Sequence, residues 1–361
     1  MKCYLHIGTE KTGTTSIQSF LLRNERRMKK VGYCCPKIDQ QFNHRSLAVA
    51  CFDDDHRDDF TMLEGIETCE QMRRYRQKTL RQYRSLFSKD KYPNVVLSSE
   101  HFQSRLVSES EVARLRAALD NFGFNEYVVI VYLREPAELA ASLYCMNVKN
   151  GSTAATPGGP ESPYFANVCD HRRTIERFAA QFGMSNIYPR LFSTTEFVGG
   201  NLLADFLRSI EIEETEQFIQ TSSHNKGLSN LGIELMRRVN AQIPISNEHG
   251  NNPLYPKIVE HFETYYSQSK YCLPLELADR FRESFAGSCD WVRSRFFPDR
   301  NSLFEPLNRQ NDVAKFNADE LDIIAKSIAG ILLGQEEEAI GQATTNDRAS
   351  IWSFIQNRWA S

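Results

Sequence analysis

The sequence has little net charge, no long apolar run and no N-terminal stretch with the pattern of a signal peptide. Its formal net charge is −3, from 43 Lys and Arg against 46 Asp and Glu among 361 residues. This balance argues against a protein held on nucleic acid by bulk electrostatics, so we expect no nucleic-acid partner. No run approaches the roughly 18 apolar residues of a membrane span. We therefore expect a cytoplasmic protein without a membrane span.

Paired cysteine motifs are also missing. The nine cysteines are scattered without a C-x-x-C pair, which argues against a disulfide framework or a zinc site and favours reduced thiols. The acidic segment at residues 53–59 lacks a regular ligand spacing. We therefore expect no metal. The sequence gives no indication of the oligomeric state.

The first 20 residues combine an apolar run, a Gly/Thr turn and a helix. Gly8 and Gly13 have the G-x-x-x-x-G spacing of a phosphate loop, but Thr14 follows where a nucleotide triphosphatase has lysine. The lysine of this loop is Lys11. Backbone N–H groups and the positive end of the following helix would form an anion cradle. The residues of this predicted cradle are Lys11, Thr12, Gly13, Thr14, Thr15 and Ser16.

Apolar runs and helical patterns alternate along the first 200 residues. The predicted strands are residues 3–7, 31–35, 94–98, 127–133 and 186–192. The predicted helices are residues 15–30, 69–88, 109–121, 170–183, 201–210, 231–241, 256–268, 275–297 and 318–333. This alternation predicts an α/β, three-layer nucleotide-binding fold with a mainly parallel sheet of about five strands. We expect one domain at 1–300 and a helical C-terminal extension at 301–361 packed on it, while residues 39–59 look irregular.

Glu100 and His101 follow the apolar run 94–98 directly. In open parallel sheets ligands collect at the carboxyl ends of strands, so both residues lie where a general base would be needed. Two structural interpretations stay open beside this one. Glu100 would order the loop by accepting backbone N–H groups, and His101 would be a partly buried side chain.

Arg134 ends the apolar run 127–133, and Ser142 comes two turns into the helix that follows. A guanidinium can hold a phosphate by a two-pronged contact, and a helical serine can donate a further hydrogen bond. An arginine in this position alone is more often the ion-pair partner of a residue such as Glu135 or Glu138.

The K-T-G-T-T-S loop after a strand, followed downstream by R-x-P and S-x-Y, resembles the donor site of P-loop sulfotransferases of bacterial, carbohydrate type. These enzymes use 3′-phosphoadenosine 5′-phosphosulfate (PAPS). The resemblance implies that the loop binds the 5′-phosphosulfate and that Lys11 contacts its bridging oxygen. It also implies that Arg134 and Ser142 bind the 3′-phosphate. PAPS would be the donor substrate, and the residues require no Mg²⁺.

The resemblance further implies a Glu or His base, for which Glu100 is the first candidate and His101 the second. The acceptor would be a hydroxyl or amine of a glycan or glycoconjugate, although lipid-linked sugars and small alcohols fit equally well. Lys226, in a polar segment at 221–229, would close over the 3′-phosphate, with a plain loop as the alternative. The loop at 151–163 would lie at the edge of the site.

Two other functions remain open. A P-loop kinase or triphosphatase would need lysine at position 14 and an apolar strand that ends in Asp for Mg²⁺. A non-catalytic nucleotide-binding protein would keep the donor pocket without a usable base.

Overall fold

A computed structural model describes most of the chain. The described residues are 1–38, 42–89, 92–213, 218–219, 227–247, 250–267, 269–305 and 318–332. The chain divides into two compact units. The first comprises residues 1–140, 158–224 and 275–307, and the second comprises residues 141–157, 225–274 and 308–361. The last segment of the first unit ends at residue 307, and the division of the chain at residue 300 stays a prediction.

The first unit contains the main sheet of the described residues. Its strands are β1 (Lys2–His6), β2 (Tyr33–Cys34), β3 (Asn94–Ser98), β4 (Glu126–Leu133) and β5 (Ile187–Leu191). The order is β2-β3-β1-β4-β5, and every pair is parallel. Leu5 of β1 lies opposite Leu97 of β3 and Val129 of β4. The carboxyl end of β1 therefore lies between the carboxyl ends of β3 and β4.

The helices agree with most of the predicted ranges. In chain order they are α1 (Thr14–Arg23), α2 (Glu25–Lys30), α3 (Arg45–Ala50), α4 (Asp59–Leu63), α5 (Cys69–Lys89), α6 (His101–Arg105), α7 (Glu109–Asn121), α8 (Pro136–Lys149), α9 (Pro163–Val168), α10 (His171–Phe182), α11 (Leu202–Ser209), α12 (Asn230–Gln242), α13 (Tyr255–Tyr265), α14 (Leu275–Phe296) and α15 (Ala318–Leu332).

Side chains on both faces of the sheet are buried, as a parallel sheet covered on both sides requires. Leu5 and Leu97 point to one face and pack with apolar residues of α3, α5, α7, α10 and α14. Tyr4 and Val96, one residue earlier, point to the other face and pack with residues of α1, α2 and α11. The predicted three-layer α/β arrangement with a parallel sheet of about five strands is confirmed.

Two local predictions were wrong. The helix expected at residues 15–30 is interrupted at Asn24, whose buried side-chain amide donates to the carbonyls of Phe20 (3.0 Å) and Ile219 (2.9 Å). The segment expected to be irregular contains α3, where Leu47 and Val49 are buried. Polar residues on both sides of this short apolar run concealed it.

The second unit has its own apolar core. Ile233 and Met236 of α12, Phe262 of α13 and Leu321 of α15 are buried together. The short strands β6 (Ser246–Asn247) and β7 (Gly250–Asn251) pair in antiparallel fashion. Across the described ranges, no helix combines the length and the apolar character that crossing a bilayer would need.

Candidate functional site

The loop between β1 and α1 has a tightly curled backbone. Gly8, Lys11 and Gly13 have φ values of 104°, 60° and 75°, in the left-handed region that favours glycine. A Cβ atom at Gly8 would lie 3.0 Å from the Cα of Glu100, and one at Gly13 would collide with the Leu202 side chain. Both positions therefore favour glycine for conformation, and at Gly8 the backbone of Glu100 also leaves little space for a side chain.

The helix that follows this loop begins without a capping side chain. Gly13 is the N-cap of α1, and no side-chain hydrogen bond caps the first turn. The first backbone N–H groups of a helix have no partner within the helix, and the helix dipole favours an anion beside them. In this part of the site Thr15 is exposed, and Lys11 and Ser16 are partly exposed. The loop can therefore bind a phosphate or sulfate group.

The base of the loop is anchored on β4. Thr9 donates from its backbone N–H (3.0 Å) and from its hydroxyl (3.1 Å) to the carbonyl of Tyr132. Thr12, which is buried, donates its hydroxyl to the carbonyl of Thr9 at 2.6 Å. The Thr12 hydroxyl proton is therefore used within the loop, so Thr12 offers a ligand its backbone rather than that proton.

Arg134 joins the end of β4 to the same loop. Its Nη1 donates to the carbonyl of Lys11 at 2.9 Å, and its Nε lies 3.7 Å from a carboxylate oxygen of Glu138. The guanidinium lies 5.6 Å from the ring centroid of Phe192, and the Nε2 of His171 bonds the Arg134 carbonyl at 2.8 Å. Arg134 is thus fixed beside the loop, with a salt bridge to Glu138 like the one expected for a structural arginine.

Glu100 lies on the opposite side of the loop, beyond the end of β3. Its carboxylate accepts a hydrogen bond from Nε2 of Gln18 at 3.1 Å, and Nδ2 of Asn43 lies 3.4 and 3.5 Å from its two oxygens. Its side chain is 17% exposed. The carboxylate is therefore held in place, next to Gly8, and remains accessible.

His101 is mostly enclosed. Burial lowers the pKa of its imidazole to about 4, and the charge of Glu10 opposes this shift only in part. Its Nε2 lies 3.9 Å from Glu100, and its ring meets Phe60 edge-on with centroids 4.5 Å apart. At neutral pH His101 is therefore an uncharged imidazole.

Sequence patterns did not single out Glu10 and Tyr164. Glu10, within the loop, is 7% exposed, and its carboxylate accepts the hydroxyl of Tyr164 at 2.9 Å. Burial, together with the nearby charge of Glu10, raises the pKa of Tyr164, which therefore keeps the proton that it donates. The hydrogen bond ties α9 to the loop.

The predicted site residues fall into three groups. The first group lies at the carboxyl ends of the adjacent strands β3, β1 and β4 and comprises Lys11, Thr12, Gly13, Thr14, Thr15, Ser16, Glu100, His101 and Arg134. Ser142 lies in α8 within the second unit, and its side chain is partly exposed. Lys226 lies outside the described residues. The described ranges contain no group of three or more His, Cys, Asp or Glu side chains that could hold a metal ion.

Comparisons with known proteins give one structural similarity. No family model matches the chain, and no curated protein matches it. Among solved structures, a sulfotransferase from Alicyclobacillus acidocaldarius is similar with a TM-score of 0.41 and 12% sequence identity, over 81% of this chain and 94% of that chain. The fold of this chain is that of a three-layer α/β protein, with the glycine-containing loop between β1 and α1 at the centre of a parallel sheet.

Proposed function

We propose that this protein is a sulfotransferase that moves a sulfuryl group from PAPS to a hydroxyl or amine of an acceptor. The observation that supports the proposal is that three groups of candidate residues lie together at the carboxyl ends of neighbouring strands. The Lys11 loop, Glu100 and Arg134 follow β1, β3 and β4, which are neighbours. Direct transfer of a charged group needs an anion cradle, a held leaving group and a base, and these residues are suited to all three tasks.

The reaction is an in-line displacement at sulfur. The first turn of α1 and Lys11 hold the 5′-phosphosulfate, and Arg134 holds the 3′-phosphate. The acceptor oxygen forms a bond to sulfur while the bond from sulfur to the bridging oxygen breaks. The acceptor proton passes to Glu100 or His101, and adenosine 3′,5′-bisphosphate leaves. Lys11 offsets the negative charge that develops on the bridging oxygen.

Two further donor contacts and the acceptor class come from the resemblance alone. We propose Ser142 and Lys226 as additional ligands of the 3′-phosphate. We propose a hydroxyl of a glycan or glycoconjugate as the acceptor, and the cytoplasm as the place of reaction.

The main alternative to a sulfotransferase is a P-loop kinase, and the test must distinguish the two. Thr14 stands where a P-loop kinase has its lysine, and the residues that follow β3 and β4 directly are Ser99 and Arg134 rather than Asp. Glu100 is nevertheless a carboxylate close to the loop, where such an enzyme would bind Mg²⁺. ATP with Mg²⁺ is therefore the competing ligand.

The test is calorimetric binding of adenosine 3′,5′-bisphosphate and of ATP with Mg²⁺. We expect the bisphosphate to bind to the wild type, and Arg134→Ala to weaken it roughly 10- to 100-fold, as loss of a charge-assisted contact implies. Arg134→Lys should recover only part of this loss, because lysine lacks the planar fork. Arg173→Ala, at an exposed arginine of α10, is the matched control and should bind like the wild type.

Transfer of radiolabelled sulfate from PAPS to a panel of glycans, lipid-linked sugars and alcohols then identifies the acceptor. Preference for ATP with Mg²⁺ would overturn the sulfotransferase proposal in favour of a kinase. Bisphosphate binding without turnover of PAPS would leave a non-catalytic nucleotide-binding protein.

A further inference from the structure

Two side-chain amides converge on the carboxylate of Glu100. Gln18 comes from the second turn of α1, the helix that begins at the anion cradle, and its Nε2 lies 3.1 Å from one carboxylate oxygen. Asn43 comes from the segment before α3, and its Nδ2 lies 3.4 and 3.5 Å from the two oxygens. An amide NH₂ group can only donate, and an ionised carboxylate can only accept, so these contacts suit the charged form.

The amide of Asn43 is itself oriented by its neighbours. The hydroxyl of Ser99 donates to its Oδ1 at 2.8 Å, which directs Nδ2 towards Glu100. The backbone beside it is fixed as well, because His44 accepts the Ser98 N–H at its Nδ1 (3.0 Å) and bonds the Pro36 carbonyl through Nε2 (3.2 Å). Asn43 is thus held before any ligand binds.

His101 is placed differently. Its Nδ1 is buried and has no hydrogen-bond partner among the described residues. An imidazolium there would be poorly solvated, since burial disfavours the charged ring. Of the two candidate bases, Glu100 alone has donors arranged around the form that accepts a proton.

We infer that Gln18 and Asn43 are positioning residues that hold the carboxylate of Glu100, the first candidate base, towards the acceptor. This inference rests on the proposed sulfotransferase function. In the step itself, the acceptor O–H bond breaks, its proton goes to a Glu100 oxygen, and its electron pair forms the new bond to sulfur. The bond to the bridging oxygen breaks at the same time, and adenosine 3′,5′-bisphosphate departs.

The experiment measures PAPS turnover, with water as acceptor if no better one is known, together with the Kd of adenosine 3′,5′-bisphosphate. Gln18→Met and Asn43→Leu should each lower kcat roughly 10- to 100-fold, since a mispositioned base loses most of its contribution. The Kd of the bisphosphate should stay within about threefold of the wild-type value, because neither amide is proposed to bind the sulfuryl donor. Gln77→Met, at an exposed glutamine of α5, is the control and should leave kcat unchanged.

The decisive comparison repeats both substitutions in a Glu100→Gln background. If the amides act through Glu100, they should add no more than about a twofold further loss of kcat once that base is gone. If each substitution lowers kcat in the Glu100→Gln background by the same factor as in the wild type, the two amides have a merely structural role. That result would overturn this inference but not the proposed function. A wild type that neither binds the bisphosphate nor turns over PAPS would overturn the proposed function and this inference with it.

Discussion

At the scale of single residues, Gly8 is constrained both by its backbone conformation and by a neighbouring backbone. It has a φ of 104°, and a Cβ there would lie 3.0 Å from a backbone atom of Glu100. Real Cβ atoms seldom approach so closely, and backbone yields less readily than the end of a side chain. The loop and the end of β3 are therefore packed main chain against main chain.

Gly8→Ala should therefore lower both stability and affinity for adenosine 3′,5′-bisphosphate. We expect about 2 to 3 kcal/mol of destabilisation, from positive φ and from overpacking together. Gly65→Ala is the matched control, because Gly65 also has a positive φ of 66° but nothing within 4 Å of an added Cβ. Its cost should be about 1 kcal/mol. Denaturant unfolding and calorimetry give both quantities, and equal losses in the two variants would contradict the close packing at Gly8.

The site residues that follow strands were predictable from the sequence. The distant residues that contact them in the folded protein were not. Lys11, Glu100 and Arg134 each follow an apolar run, which is visible in the sequence. Gln18 and Glu100 are 82 residues apart, and Glu10 and Tyr164 are 154 residues apart. Neither pair has a local pattern, because the contact exists only once the strands are ordered in the sheet.

At the scale of elements, a hydrogen bond attaches the short helix α9 to the loop. Tyr164, its second residue, donates to the carboxylate of Glu10 at 2.9 Å. Residues 151–163, which we expected at the edge of the site, lead directly into this helix. Helix α9 is thus connected to the loop between β1 and α1 by a contact that the sequence did not predict.

Tyr164→Phe tests that attachment. It removes the hydroxyl and leaves the buried carboxylate of Glu10 without this donor, which should cost about 1 to 3 kcal/mol of stability. We also expect weaker binding of the bisphosphate, because Glu10 belongs to the loop. Tyr188→Phe, at a tyrosine that is 48% exposed, is the control in thermal unfolding and calorimetry. If Tyr164→Phe behaves like this control, α9 does not support the loop.

The elements themselves were predictable where apolar periodicity is continuous, as in β3 and α7. Prediction failed where a single buried polar group decides the outcome. Asn24 interrupts a helical pattern because its side chain bonds both backbone groups of Ile219, a residue far along the chain. Such a contact leaves no trace in the local sequence.

At the scale of the whole molecule, buried histidines contribute to the response to acid. Burial lowers the pKa of His6 to about 3 and those of His44, His101 and His171 to about 4. Each is neutral when folded and has an ordinary pKa near 6.5 when unfolded. Between these values the unfolded chain binds more protons, so stability falls as the pH falls. His56 has the opposite sign: burial lowers its pKa, but Glu111, Asp58 and Asp53 together outweigh the burial and raise it.

We therefore expect the contribution of these four histidines to the free energy of unfolding to be complete above about pH 6.5. The free energy of unfolding should then fall steadily towards pH 4. Denaturant titrations at pH 7.5, 6.5, 5.5 and 4.5 measure this slope. His44→Gln replaces a titrating group by an amide and should flatten it by about one proton, while His56→Gln should steepen it. Stability that rises between pH 6.5 and 4.5 would contradict the assignment of these four histidines as neutral.

The contact between Gly8 and Glu100 also has a practical meaning for anyone who wishes to reprogramme the protein. Because a Cβ at position 8 would meet the Cα of residue 100, the restriction on position 8 applies whichever side chain stands at position 100. New chemistry can be installed there on an unchanged frame. Position 8 offers less choice, since any added side chain there meets the backbone of Glu100.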